Sequence, residues 1–265
     1  MAPSSADRYP TVETFCLFVG YHRSGHSLIG SLLDAHPEIV ISHEAGALKL
    51  VSLEGISRDA LFERVLENSR RQAARPRGRR ASGYSYAVEG QWQGRSRELR
   101  VLGDKDGQKA TKFIGRDPSV LATFERLVGV PLKIVHVTRN PYDVVARMAL
   151  ITKGGVPERS VASAIDLFAR LARANDRLIS SGRHPVLTMR QEAFVRQPHR
   201  ELRAACAFLG VDADDSYLDA CAGLVFDSPR RTREKIEWAA PDVEAVRRVI
   251  ERHSFLAGYS MSSVD

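Results

Sequence analysis

The sequence predicts an α/β fold built on a mostly parallel central sheet with helices on both faces. Three observations carry that prediction. Short runs of β-forming residues alternate with segments of helical periodicity, and the crossovers this order demands make neighbouring strands parallel. Glycine, proline and cap residues punctuate the helical segments where helices start and stop. At 265 residues, with 43% hydrophobic and 27% charged side chains, the chain is long enough to bury one large α/β core. It carries no internal repeat of the kind that builds a solenoid or propeller.

The elements follow in order. Phe15-Cys16-Leu17-Phe18-Val19 is a run of β-formers ending at Gly20. After a small polar cluster, Leu28, Ile29, Leu32 and Leu33 share one helical face until Pro37. That is strand, tight loop, helix. A second helix runs from Ser57 through Leu61, Phe62, Val65 and Leu66. In a third, Asp117 caps, Pro118 takes the first helical position, Val120, Leu121, Phe124, Leu127 and Val128 form the stripe, and Gly129 ends it. Leu132 to Val137 is a strand, and Arg139-Asn140-Pro141 leads into a helix with Val144, Val145 and Met148. There Asn140 caps and Asp143 stands where a carboxylate returns a bond to the cap. A long helix spans about 158–180 and stops around Gly182. Strand Val186 to Met189, a helix carrying Leu202, Cys206 and Leu209, and a last helix near 242–252 complete the order.

Residues 1–265 read as a single domain with one interruption. From Arg70 to Arg100 there are nine Arg, no Lys and two acids, Glu89 and Glu98, with Gly and Pro interleaved, so the segment reads as a basic loop or insertion. Its surplus of seven equals the +7 of the whole chain. A basic balance favours an anionic partner without naming it. Cys16, Cys206 and Cys221 are odd in number and lack CxxC spacing, which supports neither a disulfide framework nor a zinc ribbon and reads as reduced core thiols. The N-terminus has no basic-then-apolar leader, and the early apolar run falls far short of the roughly 20 residues that span a bilayer, so a soluble, cytoplasmic protein with no transmembrane segment is expected.

The strongest local chemistry lies in Gly20-Tyr21-His22-Arg23-Ser24-Gly25-His26-Ser27, between a strand and a helix N-terminus. Backbone N–H groups there, with the positive end of the helix, form a concave donor set suited to phosphate. The spacing almost makes a Walker A loop, but His26 stands where its Lys should be and the fixed cation is Arg23. The second signal is Arg139, at the C-terminal end of a strand, where open α/β sheets place ligands.

Together these stretches resemble the sulfotransferase family, which uses 3'-phosphoadenosine 5'-phosphosulfate as donor. Gly20-x-x-Arg23-Ser24-Gly25-His26-Ser27 is similar to its 5'-phosphosulfate loop, and Arg139-Asn140-Pro141-x-Asp143 to its 3'-phosphate motif. Leu33-Asp34-Ala35-His36-Pro37, continuing to Glu44, and Gly103-Asp104-Lys105 resemble tyrosylprotein sulfotransferases and bacterial relatives. Glu192 before Pro198, Phe208-Leu209-Gly210, and Ser228-Pro229-Arg230-Arg231-Thr232-Arg233 with Trp238 are fainter echoes in the same order. The resemblance implies a P-loop-kinase-like three-layer fold. There are departures: His26 replaces the family's usual Thr, Arg147 stands where a Ser usually touches the 3'-phosphate, and Gln191 replaces a Tyr often found beside adenine.

The implied reaction is in-line transfer of a sulfuryl group to an acceptor hydroxyl on a small molecule, lipid, glycan or tyrosine, with no metal demanded. Arg23 and Lys105 are expected to stabilise charge on the leaving group and sulfuryl, with Ser24, Gly25, His26 and Ser27 on the 5'-phosphate. Arg139, with Arg147 and Arg231 or Arg233, is expected to hold the 3'-phosphate. Glu44 is the expected base, its ordinary pKa of about 4.3 leaving it ionised at neutral pH, and His22, His43 and Asp106 are its rivals. Tyr84, Tyr86 and Trp92 either line an acceptor site or anchor a loop, and the Arg run would suit an acidic acceptor. Two other readings compete. One is a P-loop small-molecule kinase, disfavoured by His26 and by the lack of a strand-ending Asp for Mg²⁺. The other is a non-catalytic nucleic-acid-binding protein using segment 70–80.

Overall fold

A computed structural model of the protein describes residues 8–74, 86–153 and 156–263. The chain order is β1 (Thr14–Gly20), α1 (His26–Leu33), β2 (Ile39–His43), α2 (Ala47–Glu54), α3 (Arg58–Ala73), β3 (Val101–Gly107), α4 (Gln108–Arg116), α5 (Val120–Val128), β4 (Leu132–Thr138) and α6 (Pro141–Ala149). It continues with β5 (Thr152–Lys153), β6 (Val156–Pro157), α7 (Val161–Ser180), β7 (Val186–Arg190), α8 (Gln191–Arg196), α9 (Pro198–Leu209), α10 (Asp215–Ala222) and α11 (Ala240–Arg252). Five strands form one sheet in the order β2-β3-β1-β4-β7, every pairing parallel.

All seven residues of β1 are buried, because the strand is covered on both sides. Its period of two divides the apolar run between layers. Cys16 and Phe18 pack with Leu28, Ile29 and Leu32 of α1 and with Leu202 and Cys206 of α9. Phe15, Leu17 and Val19 pack with Phe62 of α3, Ile114 of α4 and Phe124 of α5. A third cluster joins α6, α7 and α11 through Val145, Phe168 and Val246. The chain passes from β1 to β2 on one side of the sheet and from β3 across β1 to β4 on the other. The direction of winding therefore reverses at β1, and a crevice opens at the C-terminal edge there. Among the described residues no helix is long and apolar enough to cross a membrane.

The predicted strands and long helices are present, and the differences have local causes. β3 was not anticipated because its second half, Asp104-Lys105-Asp106, is polar, and α4 follows it with no cap side chain to announce it. Asp117 does not cap α5. Its carboxylate accepts from Ser119 N at 2.9 Å in an Asx turn, and the helix starts two residues later than Pro118 at Val120. The basic segment is not all loop: Arg70 and Arg71 lie in the last turn of α3. Residues 75–85, which carry the rest of the 70–80 Arg run and Tyr84, lie outside the described residues. The following stretch is pinned to the core. Gln93 donates to Ser31 O and Tyr86 O at 2.9 and 2.7 Å, and Gly94 N–H donates to the buried Asp34 carboxylate at 3.1 Å. Arg100 pairs with Glu13 and Glu38, and Arg95 lies over the Trp92 ring. Tyr86 and Trp92 thus sit in a loop anchored on α1.

Asp34 is the hub of the Asp34-Ala35-His36-Pro37 run. It also accepts from Ile41 N at 2.8 Å and from Ser69 Oγ at 2.9 Å, joining α1, β2 and α3. His36 Nε2 lies 2.8 Å from Asp212 O. This motif builds the scaffold.

Candidate active site

The Gly20–Ser27 loop leaves β1 at the centre of the crevice. Gly20 has φ 140°, and a Cβ there would lie 2.4 Å from Val137 O, so the loop needs a residue without a side chain to pass β4. Gly25 has φ 93°, and a Cβ there would lie 2.7 Å from Gln191 Cγ. Arg23 takes φ 65°. Among the described residues only one other non-glycine residue has positive φ, and that is Glu44 at 61°. Such backbone costs about 1–3 kcal/mol, tends to concentrate where function needs it, and here falls on two residues singled out from sequence.

On the β3 side of the loop stands a charge cluster. Parallel register sets His43 of β2 against Lys105 of β3, so Glu44, the next residue, falls beside Lys105. Lys105 has a side chain only 1% exposed, and its Nζ contacts Glu44 Oε1 at 3.1 Å, Ser27 Oγ at 3.3 Å and His43 Nε2 at 3.3 Å. Lys109 of α4 donates to the other Glu44 oxygen at 2.6 Å. Burial raises the Glu44 pKa, but the Lys105 charge and hydrogen bonds from Lys109 and Lys105 outweigh it and hold the carboxyl at about 2. Lys105 is pushed below the usual ammonium range by burial, against the pull of Glu44. The strained turn is held by Asp104, whose buried carboxylate accepts from Ala45 N at 2.9 Å and Ala47 N at 2.8 Å.

Of the rival bases, His43 belongs to this cluster, and His22 and Asp106 feel its charges. Burial, then the Arg23 charge, lower the His22 pKa to about 4. Asp106 is raised to about 7, by burial first and the Asp104 charge second. His26 is buried, with Nδ1 3.2 Å from Ser24 Oγ and its ring packed on Gly107, where a Cβ would meet it at 2.9 Å. Burial, then the Lys105 charge, push its pKa well down, so the ring is a neutral support under the loop.

Guanidinium groups gather on the β4 side. Arg139 is nearly buried; its Nη1 donates to Arg23 O at 3.3 Å and its Nη2 to Arg230 O and Thr232 Oγ1. Its Nε is buried with no hydrogen-bond partner among the described residues. Arg147 is close enough that its charge, after burial, lowers the Arg23 pKa. Asn140 accepts from Tyr142 N at 3.1 Å as the N-cap of α6, and its own N–H donates to the buried Glu192 at 2.7 Å. The loop, which carries Arg23, therefore has Lys105 with Glu44 on one side and Arg139 and Arg147 on the other.

Two residues expected at this site are placed differently. Asp143 receives Arg233 Nη1 at 2.6 Å and Arg233 N at 2.8 Å. The rest of the Arg233 guanidinium donates to Met261 O and Ser263 O, so this side chain is turned inward and locks the 230s segment to α6. Arg231 is exposed and pairs with Glu234 at 3.1 Å. Arg233→Ala would leave Asp143 charged and buried, and is expected to destabilise the fold by about 3–5 kcal/mol in urea titration. A ligand-only role for Arg233 would leave the unfolding midpoint unchanged. Lys109 and Asp104 were missed as site residues. No signal in the sequence showed that α4 starts at Gln108, which is what aims Lys109 at Glu44.

A family model described as "Sulfotransferase family" matches residues 17–215. No curated protein matches the chain. Among solved structures, the sulfotransferase domain of the Synechococcus PCC 7002 olefin synthase is similar at TM-score 0.50 and 18% identity, covering 94% of this chain and 97% of that one. The sulfotransferase domain from the curacin biosynthetic pathway gives 0.50 and 15%, covering 91% and 96%. A sulfotransferase from Mycobacterium avium gives 0.52 and 12%, covering 91% and 76%. At these identities the likeness is one of fold, and the parallel sheet flanked by helices matches the P-loop-kinase-like architecture.

Proposed function

The chain belongs to the sulfotransferase family, and from that premise we propose that it moves a sulfuryl group from 3'-phosphoadenosine 5'-phosphosulfate to an acceptor hydroxyl, with Glu44 as base. The observation that carries this reading is the two-sided arrangement of cations about one Gly-containing loop. The donor, when bound, supplies a sulfuryl group on a phosphate leaving group and a separate 3'-phosphate. The residues fit both ends. The N–H groups of Ser24 to Ser27, at the positive end of α1, would hold the 5'-phosphate. Arg139, whose buried Nε has no hydrogen-bond partner among the described residues, would hold the 3'-phosphate with Arg147 and, from the rim, Arg231.

Lys105 is aimed at the loop, 3.3 Å from Ser27 Oγ, where charge builds on the departing phosphate oxygen. Glu44 is ionised and takes the acceptor proton as the acceptor oxygen bonds sulfur and the bridging S–O electron pair leaves with the phosphate. Lys105 makes its pair with Glu44 in the free protein and would turn to the phosphosulfate on donor binding. That exchange leaves Glu44 with Lys109 as its remaining ammonium partner and raises its basicity when it is needed. His22, with its low pKa, and Asp106, half protonated near neutrality, are weaker choices for the same task.

The test is thermal. Adenosine 3',5'-bisphosphate at 100 Kd is expected to stabilise the protein by about 2.7 kcal/mol, ATP with Mg²⁺ to do much less, and Arg139→Ala to remove the effect. Stabilisation by ATP with Mg²⁺ alone would return the kinase reading, and duplex DNA binding lost on neutralising 70–80 would favour the nucleic-acid one.

A further inference from the structure

Away from the loop, a groove of about 450 Å³ runs between α4 and α7. Its walls carry Lys112 and Arg116 from α4 and Arg170, Arg173 and Arg177 from α7, and no acid lines it. The spacing explains the arrangement: i, i+4 on one helix and i, i+3, i+7 on the other set each group on a single face. The two faces converge because Gly115 lets α4 approach Ala174, where even a Cβ would sit 3.0 Å away.

These five cations have no ion-pair partner among the described residues. Some arginines elsewhere are paired: Arg247 with Glu244 and Glu251, Arg203 with Asp215, and Arg100 with Glu13 and Glu38. Burial and the charges of Arg159, Arg116 and Arg170 lower the Lys112 pKa, so the gathering of like charge has a cost in the free protein. An anion in the groove would remove that cost. The groove is also tied to the first site. Thr111 on its floor accepts from Gly20 N at 2.9 Å, and Gln108, one turn before Lys112, accepts from His22 N at 3.3 Å.

We propose that the α4–α7 groove is a second anion site, separate from the Gly20–Ser27 loop, that takes a multiply phosphorylated or sulfated small molecule. It stands whether or not the loop holds the donor named above. A free effector and the charged end of an acceptor share this chemistry.

The test is isothermal titration of the full chain with inositol 1,4,5-trisphosphate, which carries both phosphates and free hydroxyls, in the presence of saturating adenosine 3',5'-bisphosphate. Binding is expected, weakening with salt and falling about tenfold for each guanidinium removed in Arg170→Gln and Arg173→Gln. Both substitutions are on exposed helical positions, and circular dichroism checks that the fold is kept. Incubation with the phosphosulfate donor then separates the sources. Gain of a sulfate mass by the probe marks an acceptor, and binding without it an effector. Unchanged affinity in the double variant would overturn the proposal. So would full competition by the bisphosphate, or binding of duplex DNA in place of the probe.

Discussion

Glu44→Gln is expected to cut the rate of sulfuryl transfer by about 10²–10⁴-fold while binding of adenosine 3',5'-bisphosphate stays within about twofold. The amide keeps an oxygen for Lys105 Nζ, now 3.1 Å from Glu44 Oε1, so the buried ammonium is not left bare and the loop keeps its shape. What is lost is the capacity to accept a proton. The pH dependence follows with a definite sign. In the free protein the Glu44 pKa is depressed to about 2, so its charge pair adds stability above the ordinary carboxylate range and loses it as pH falls toward 2. Once Lys105 turns to the donor, one of the two lysines that depress the carboxyl is withdrawn and its pKa rises, so the acid limb of the donor-saturated rate should lie above 2. Full turnover by Glu44→Gln, measured by mass gain of acceptor, would move the base to His43, whose Nε2 lies 3.8 Å from the same carboxylate.

Lys105→Met is expected to lower turnover by about 10²–10³-fold with a smaller change in stability than a buried charge would suggest. A methionine fills the apolar stem of a side chain that is 1% exposed, and removing a buried cation also removes its desolvation cost. Glu44 keeps Lys109 at 2.6 Å, so the base remains ionised. The separating measurement is the leaving group. With a donor analogue bearing a better leaving group, the Lys105→Met defect should shrink, whereas the Glu44→Gln defect should not. An equal defect on both donors would make Lys105 a scaffold residue instead.

The local readings and the non-local ones fared differently, for reasons visible in particular residues. Phe15 to Val19 was legible because an unbroken apolar run ending in glycine is a property of neighbours in the chain. The same holds for the cap at Asn140, the stripe on α5 and the loop from Gly20 to Ser27. β3 was not legible, since Asp104 and Lys105 are buried there only because partners lie on β2, on α1 and in the Glu44 turn. Arg233 looked like a ligand residue beside Arg231, yet Asp143 from a distant helix turns it inward. The basic character of 70–100 was read from composition, but the cations of the α4–α7 groove come from residues 112 to 177, which no window along the chain would collect.

The alternation of strands and helices and the Gly20–Ser27 loop were legible along the chain, which also offered Arg23, Glu44, Lys105 and Arg139 as candidates. Only the tertiary structure decided which charges meet. Periodicity and capping act over a few residues, whereas the pairing of His43 with Lys105 across two strands, 62 residues apart, depends on sheet register. That register turns a run of ordinary charged residues into a buried lysine beside an ionised carboxylate.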